Sequence, residues 1–144
     1  MRARHALACL ATVAVADYVI LRHTPRWHAI ALFDHPAHLA TAVLLGGTGR
    51  AYLAGSLLPD LDHIPMALGS PRPGDPRPKT HSLYAVLPAA VVSRPLAAGM
   101  LAHFARDLAL EPGVPLFGGR PFRLPYAAYA VILLAAAYSR SRPW

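Results

Sequence analysis

Asp60, Asp62 and His63 lie together in the segment LLPDLDHIP (residues 57–65), which is otherwise rich in leucine, isoleucine and proline. A carboxylate beside apolar surface is costly to desolvate, so a compensating group is expected close by. Four interpretations are open for this segment: a helix cap, a salt bridge, a proton relay and a metal site. Its oxygen and nitrogen ligands, closely spaced, suit zinc or a harder divalent ion better than they suit pairing with a nearby Lys or Arg.

A second group of polar residues follows the third apolar stretch of the chain. His103, Asp107 and Glu111 are spaced four residues apart, so a helix would present them on one face. A histidine and an aspartate at this spacing can offer two ligands to one ion, as the two histidines do in His-Glu-x-x-His proteins. An intrahelical His–Asp hydrogen bond on a solvated face is the alternative.

His81 lies in the segment Lys79-Thr-His-Ser82, just before the third apolar stretch. Thr80 or Ser82 is placed to cap a helix that starts there. An imidazole beside a helix N-terminus is biased toward its neutral form, which is the form that binds metal. The segment therefore predicts a cap and a metal ligand together.

His38 ends the segment Asp34-His-Pro-Ala-His38, which opens the second apolar stretch. Pro36 suits the first turn of a helix and Asp34 suits its cap. His38 lies one turn after Asp34 and faces the same side. The other histidines are predicted to be solvent-exposed or interfacial: His5, His23, His28 and His35.

These residues must be positioned by an unusually apolar chain of 144 residues, a length that suits a single domain. Apolar residues make up 55 % and charged residues 15 %, which points to a membrane protein or an unusually buried helical one. Four stretches rich in alanine, leucine and valine are predicted to be helices: residues 6–21, 37–58, 83–105 and 124–138. We therefore predict an all-α, membrane-associated helical bundle over residues 1–144.

The basic residues and the single cysteine limit the binding partners and the kinds of cross-link or metal site that the chain can have. The net charge of +7 comes from scattered residues that form no basic helix face, so arginines beside anionic lipid headgroups are favoured over nucleic-acid binding. Cys9 is the one cysteine, which excludes a disulfide or a cysteine-ligated zinc site within the chain.

The first 24 residues combine basic positions with an apolar run that continues beyond Asp17 to Leu21. Ala14-Val15-Ala16 resembles a signal-peptidase site. Because the apolar run resumes after Asp17, a retained membrane anchor is favoured over a removed signal, although Asp17 fits neither interpretation well.

A run of glycines decides whether the separate groups of polar residues can meet. If residues 37–58 formed one helix, His38 and Asp60 would lie about 33 Å apart at 1.5 Å per residue. If Gly46-Gly-Thr-Gly49 is instead the turn of a helical hairpin, both residues lie at the same end. The hairpin is the favoured interpretation. His103 needs a similar break near Ser93-Arg-Pro95 to return to that end.

Several of these motifs resemble the YdjM-like family of bacterial inner-membrane proteins described as metal-dependent hydrolases. The similar segments are Leu57-Leu-Pro-Asp-Leu-Asp-His63, Thr80-His-Ser82 and His103-Phe-Ala-Arg-Asp107, within residues 34–126. Pro76 stands where the family commonly has a histidine, which removes one ligand or proton-transfer group. The resemblance implies a multi-pass protein of the bacterial inner membrane, and the family's Gly-His motif corresponds to Ala37-His38, which favours His38 over His35 as a ligand.

The leading hypothesis is a membrane-bound, metal-dependent hydrolase that uses one or two divalent ions, zinc first among them. A phosphoester or lipid-like molecule is the expected substrate, and Asp34 or Asp62 is the expected general base. The expected metal ligands are His38, Asp60, Asp62, His63, His81, His103 and Asp107. The alternative is a non-catalytic membrane adaptor with a structural metal site. A transporter or proton relay is disfavoured because the polar groups cluster at helix ends rather than along a path.

Overall fold

The computed structural model describes residues 1–23, 27–63, 79–110, 113–115 and 121–142, without the side chains of residues 27–29, 31, 62 and 79. Within this part of the chain the protein is all-helical, which confirms the all-α part of the prediction, while the membrane-associated bundle of four apolar stretches stays a prediction. Six α-helices are present in it: α1 (Ala3–His23), α2 (Trp27–Leu45), α3 (Arg50–Gly55), α4 (Leu83–Val92), α5 (Arg94–Asp107) and α6 (Tyr126–Ser141). Two short 3₁₀ turns, Leu58–His63 and Lys79–His81, complete the described helical elements.

Small side chains let α1, α2 and α6 pack closely. The main core cluster joins alanines of α1 and α2 to Tyr129 and Leu133 of α6. On α1 the buried apolar residues are Ala6, Val13 and Ala16, whose spacing places them on one helix face. The remaining surface of α1 carries exposed apolar side chains.

The predicted hairpin in the second apolar stretch is confirmed. Helix α2 ends at Leu45 and α3 begins at Arg50. Gly47, in the turn between them, has φ of +132°, a conformation that L-residues with a side chain rarely adopt. Helix α3 is much shorter than α2, and the chain then enters the 3₁₀ turn that carries Asp60.

The second predicted break, near Ser93, is also present. Ser93 is extended, with φ of −161°, and it separates α4 from α5. Its hydroxyl accepts a hydrogen bond from the Leu96 amide at 3.4 Å, so it caps α5. Helix α5 then packs on α3 so closely that a Cβ atom on Gly99 would lie 1.9 Å from the Tyr52 carbonyl oxygen.

The predicted start of the second helix is wrong. Helix α2 begins at Trp27, so Asp34 and Pro36 lie inside it rather than at its cap and first turn. Pro36 removes one backbone hydrogen bond, but the helix continues because Phe33 and Ala37 pack into the core on either side of it. Ser82 does occupy the N-cap position of α4, without a side-chain hydrogen bond to that helix.

Helix α1 is the one described helix that is long and apolar enough to cross a membrane. Only 22 % of its most apolar window is buried inside the protein. Its exposed apolar side chains are Leu7, Val15, Tyr18 and Leu21. Helix α4 is also apolar, but it has only 10 residues.

Candidate metal centre

The two hairpins and the two 3₁₀ turns bring histidines and aspartates from distant parts of the sequence together. Helices α2 and α5 lie side by side, and each 3₁₀ turn ends beside them. The residues that meet there are Asp34 and His38 of α2, Asp60 and His63 of the first turn, His81 of the second, and His103 and Asp107 of α5.

Three groups of three residues share members, and within each group the potential ligand atoms lie within 4.8 Å of one another. These groups are His38–Asp60–His103, Asp60–His63–His81 and His81–His103–Asp107. Six of the seven ligands predicted from the sequence therefore converge. The seventh, Asp62, has its side chain outside the described residues, as do Glu111 and Pro76.

Asp60 is the residue around which the histidines gather. Its Oδ1 lies 3.3 Å from His81 Nε2, 3.5 Å from His63 Nδ1 and 3.6 Å from His103 Nε2. Burial alone would raise the pKa of Asp60, but hydrogen bonds with His35, His63 and His81 outweigh it and hold the pKa well below its usual value. Asp60 therefore stays a carboxylate, the form that binds a cation.

His103 is oriented by the backbone of the α3 hairpin. Its Nδ1 lies 2.8 Å from the Ser56 carbonyl oxygen. Because a carbonyl can only accept, Nδ1 carries the proton and Nε2 keeps its lone pair when the ring is neutral. Metal-ligating histidines are commonly held in this way by a backbone carbonyl. Nε2 points toward Asp107 Oδ2, 3.2 Å away.

His38 stacks on His103, with ring centroids 3.7 Å apart and planes inclined by 6°. Burial lowers the pKa of His38, and the adjacent His103 lowers it further, so its neutral form is favoured. In contrast, burial would lower the pKa of His103, but the charges of Asp107 and Asp60 raise it. The neutral ring of His38 therefore stacks on the ring of His103, and the carboxylates of Asp107 and Asp60 beside His103 favour a positive charge there.

Several buried atoms of this centre form no hydrogen bond of good geometry within the described residues, although three of them lie within 3.5 Å of an oppositely charged or hydrogen-bonding side-chain atom. They are both ring nitrogens of His38, Nε2 of His103 and Oδ2 of Asp60. A buried polar atom without a well-formed hydrogen bond is unusual in native proteins and calls for an explanation. Imidazole nitrogens and carboxylate oxygens are the ligands that zinc prefers. The arrangement therefore fits a divalent cation.

A buried arginine supports the centre from behind. Arg106, fully buried on α5, donates to Asp34 Oδ1 from Nε at 3.0 Å and from Nη2 at 2.9 Å. Asp34 Oδ2 in turn lies 3.4 Å from His38 Nε2. Burial would raise the pKa of Asp34, but the charges of His38 and Arg106 lower it to about 2. The sequence analysis did not identify Arg106, although it lies one turn after His103.

His35 is exposed, as predicted, but it also reaches the centre. Its side chain is 46 % exposed, and its Nε2 lies 3.2 Å from Asp60 Oδ2. Its position three residues before His38 on one helix is the signal that could have placed it at the centre. His5 and His23 are exposed, as predicted, and the side chain of His28 lies outside the described residues.

The residues of the centre differ in burial. His38, His81 and His103 are fully buried, whereas the side chains of Asp34 and His63 are 22 % and 15 % exposed. Asp34, His63 and the half-exposed His35 are therefore the described residues of the centre that reach solvent.

Comparison with protein-family models, with curated proteins and with solved structures gives no match to this chain. The described part of the chain is therefore classified by its structure alone, as an all-helical protein with a buried histidine–aspartate centre.

Proposed function

We propose that the chain is a membrane-associated, metal-dependent hydrolase. The proposal rests on one observation, the convergence of imidazole nitrogens and carboxylate oxygens, most of them buried, into three overlapping groups whose ligand atoms lie within 4.8 Å of one another in each group. The sequence resemblance to the YdjM-like family supports the same reaction class. A divalent ion bound here would polarise a substrate oxygen and lower the pKa of a water molecule toward about 7.

The ligand set divides into an inner and an outer half that share Asp60. His38 and His103 lie on the inner, fully buried side, with Asp107 beside them. His63 and His81 lie on the outer side, with their rings 4.7 Å apart. We assign these six residues as metal ligands, and we give Asp62, the seventh predicted ligand, the role of general base.

The charge of the centre favours two ions if the substrate is anionic. Asp17, Asp34, Asp60 and Asp107 are buried or half-buried around the single guanidinium of Arg106, so these described groups sum to −3 when the histidines are neutral. Asp62 brings the sum to −4, so one divalent ion would leave −2 and repel a phosphate, whereas a second would neutralise the centre and remove the repulsion. We therefore propose a two-ion centre acting on a phosphoester.

Proton transfer is assigned to residues beside the ligands. Asp34 faces His38 and was a predicted general base together with Asp62. Its pKa of about 2 makes it a weak base at neutral pH, so we assign Asp34 to holding His38 and keep Asp62 as the base. A hydrogen bond with Asp60 raises the pKa of His35, whose exposed ring is placed to exchange protons with solvent.

Membrane association is supported by α1, with its length and its exposed apolar side chains. The family resemblance extends this to a multi-pass protein of the bacterial inner membrane. A substrate in or near the bilayer, such as a phosphoester of a lipid, is consistent with that location.

The alternative is a structural metal site in a non-catalytic adaptor. The full burial of three histidines favours it, since structural zinc sites are closed by four protein ligands. The exposed fractions of Asp34 and His63 favour the catalytic form. An exchangeable water ligand on the bound ion, detected by relaxation of solvent protons in a manganese-loaded sample, distinguishes the two.

A hydrolysis assay tests the proposal. The detergent-purified chain, loaded with zinc or manganese, is expected to cleave a chromogenic phosphomonoester or phosphodiester, and Asp60→Asn is expected to abolish the activity. His23→Ala, which changes an exposed histidine at the end of α1, is the matched control. Metal-loaded protein without activity on any phosphoester, or activity that survives Asp60→Asn, would overturn the proposal.

A further inference from the structure

A cavity separate from the metal centre lies at the end of α1 opposite His23. It has a volume of about 490 Å³ and lies between the start of α1, the turn after α2 and the end of α6. Its lining residues are Met1, His5, Val43, Gly47, Thr48 and Arg140. His5 and Asp17 are 12 positions apart on α1, or about 18 Å at 1.5 Å per residue, so the cavity is separate from the metal centre.

The end of the molecule around this cavity is strongly cationic. Arg140 forms part of the cavity wall. Burial raises the pKa of Tyr52 on α3, and the positive charge of Arg140 partly opposes that increase. Arg140 is therefore near the start of α3. No aspartate or glutamate occurs in residues 1–16, 43–55 or 126–142, the described segments that supply this end. The arginines there are Arg2, Arg4, Arg50, Arg140 and Arg142. A phosphate group would meet no repelling carboxylate from these segments.

An apolar surface leads away from the cationic end. Helices α1 and α6 pack side by side. Leu7 and Val15 of α1 are 65 % and 57 % exposed, and Val131 and Leu134 of α6 are 64 % and 57 % exposed. At the junction of the two surfaces, the Arg142 guanidinium lies 4.4 Å from the centroid of the Tyr138 ring. Tyrosine and arginine together are typical of a membrane–water interface.

We propose that this cavity binds the headgroup of an anionic phospholipid. The phosphate lies within reach of Arg140, His5 and the Thr48 hydroxyl, while the acyl chains follow the exposed apolar side chains of α1 and α6. Charge complementarity selects an anionic headgroup over a zwitterionic one, since the surrounding cations have no acidic neighbours to balance them. The inference shares the membrane association proposed above but does not depend on the metal chemistry.

Thermal unfolding of the full chain in mild detergent tests the lipid site. Short-chain phosphatidylglycerol is expected to raise the Tm in a saturable way, and short-chain phosphatidylcholine at the same concentration is expected to raise it much less. Arg140→Gln should weaken the phosphatidylglycerol effect about tenfold in apparent affinity, as expected for the loss of one charge-assisted contact. Arg22→Gln, an exposed arginine at the other end of α1, should leave it unchanged.

Additional measurements make the outcome decisive. Inorganic phosphate that raises the Tm as much as the anionic lipid would overturn the lipid proposal in favour of a free anion. Equal effects of the two lipids, or equal effects of the two arginine variants, would overturn the site itself. If Arg140→Gln does not fold, Thr48→Val probes the same wall. The metal content of each variant is measured in parallel, so a failure here is distinguishable from a failure of the metal centre.

Discussion

The guanidinium of Arg106 lies 2.5 Å from the Asp17 carboxylate, and this ion pair connects α1 to the candidate metal centre. Asp17 is the charge that interrupts the apolar run of α1, and it is only 2 % exposed. The Tyr126 hydroxyl donates to its other oxygen at 2.7 Å. Because Arg106 also holds Asp34, which faces His38, the helix suited to the membrane is linked through two residues to a metal ligand. In this structure, α1 is therefore connected to the candidate metal centre by a buried ion pair.

Substitution of Asp17 is therefore expected to affect the metal centre from a distance. Asp17→Asn leaves the buried Arg106 with one charged partner fewer, and removing one member of a buried ion pair destabilises proteins by about 3 kcal/mol. Metal affinity should fall about tenfold because Asp34 and His38 lose their support. Denaturant unfolding measures the loss of stability, and metal titration measures the loss of affinity. Thr12→Ala, which removes an exposed hydroxyl on the same helix, is the control, and equal metal affinity in the two variants would contradict the link.

The histidines are expected to form a graded series. His38→Ala or His103→Ala should lower metal affinity by more than about 100-fold, because each removes a ligand that is buried in the centre. His35→Ala should lower it about tenfold or less, because His35 contacts Asp60 rather than the shared space between the ligands. Cobalt titration followed by its visible absorption gives the affinities and the coordination geometry. An equal loss for His35→Ala and His38→Ala would show that the ligand assignment is wrong.

Metal stabilisation should depend on pH in a defined direction. The charges of Asp107 and Asp60 outweigh burial and raise the pKa of His103, so in the metal-free protein its protonation stabilises the fold below about pH 6.5 and is lost as pH rises through the folded-state pKa. A metal ion competes with that proton. The gain in Tm on adding metal should therefore be larger at pH 8 than at pH 5.5. A gain that is equal at both pH values would contradict the participation of the histidines.

Packing between α3 and α5 is expected to control the centre as well. A Cβ atom on Gly99 would meet the Tyr52 carbonyl oxygen, so Gly99→Ala must separate the two helices and with them Ser56 from His103. We expect a loss of about 2 kcal/mol in the free energy of unfolding, typical of overpacking, together with weaker metal binding. Gly49→Ala is the matched control, since nothing lies within 4 Å of that position. Similar stability of the two variants would contradict the proposed packing.

The parts of the fold that follow from local chemistry could be predicted from the sequence. The glycine run at 46–49 and the Ser93-Arg-Pro95 segment predict chain reversals, and these reversals bring His38 and His103 to Asp60. The convergence of the candidate ligands could be predicted because polar residues are few in this apolar chain and lie at the ends of the arms that those reversals fold back.

Other features depend on contacts that no local pattern reveals. Arg106 pairs with Asp17 and Asp34, which are 89 and 72 positions away, and nothing at those positions indicates which cation each carboxylate meets. The start of α2 was misplaced because the preference of proline for a first turn is weak beside the core packing of Phe33 and Ala37. Tertiary packing decided both features.

The metal content of the purified chain tests the central claim most directly. Elemental analysis of protein purified without chelator, beside the Asp60→Asn and His81→Ala variants and the His23→Ala control, gives the number of bound ions per chain. We predict one to two equivalents of a divalent metal in the parent and in His23→Ala, and a large loss in the other two variants. A parent protein that is free of metal and binds none on titration would contradict the account.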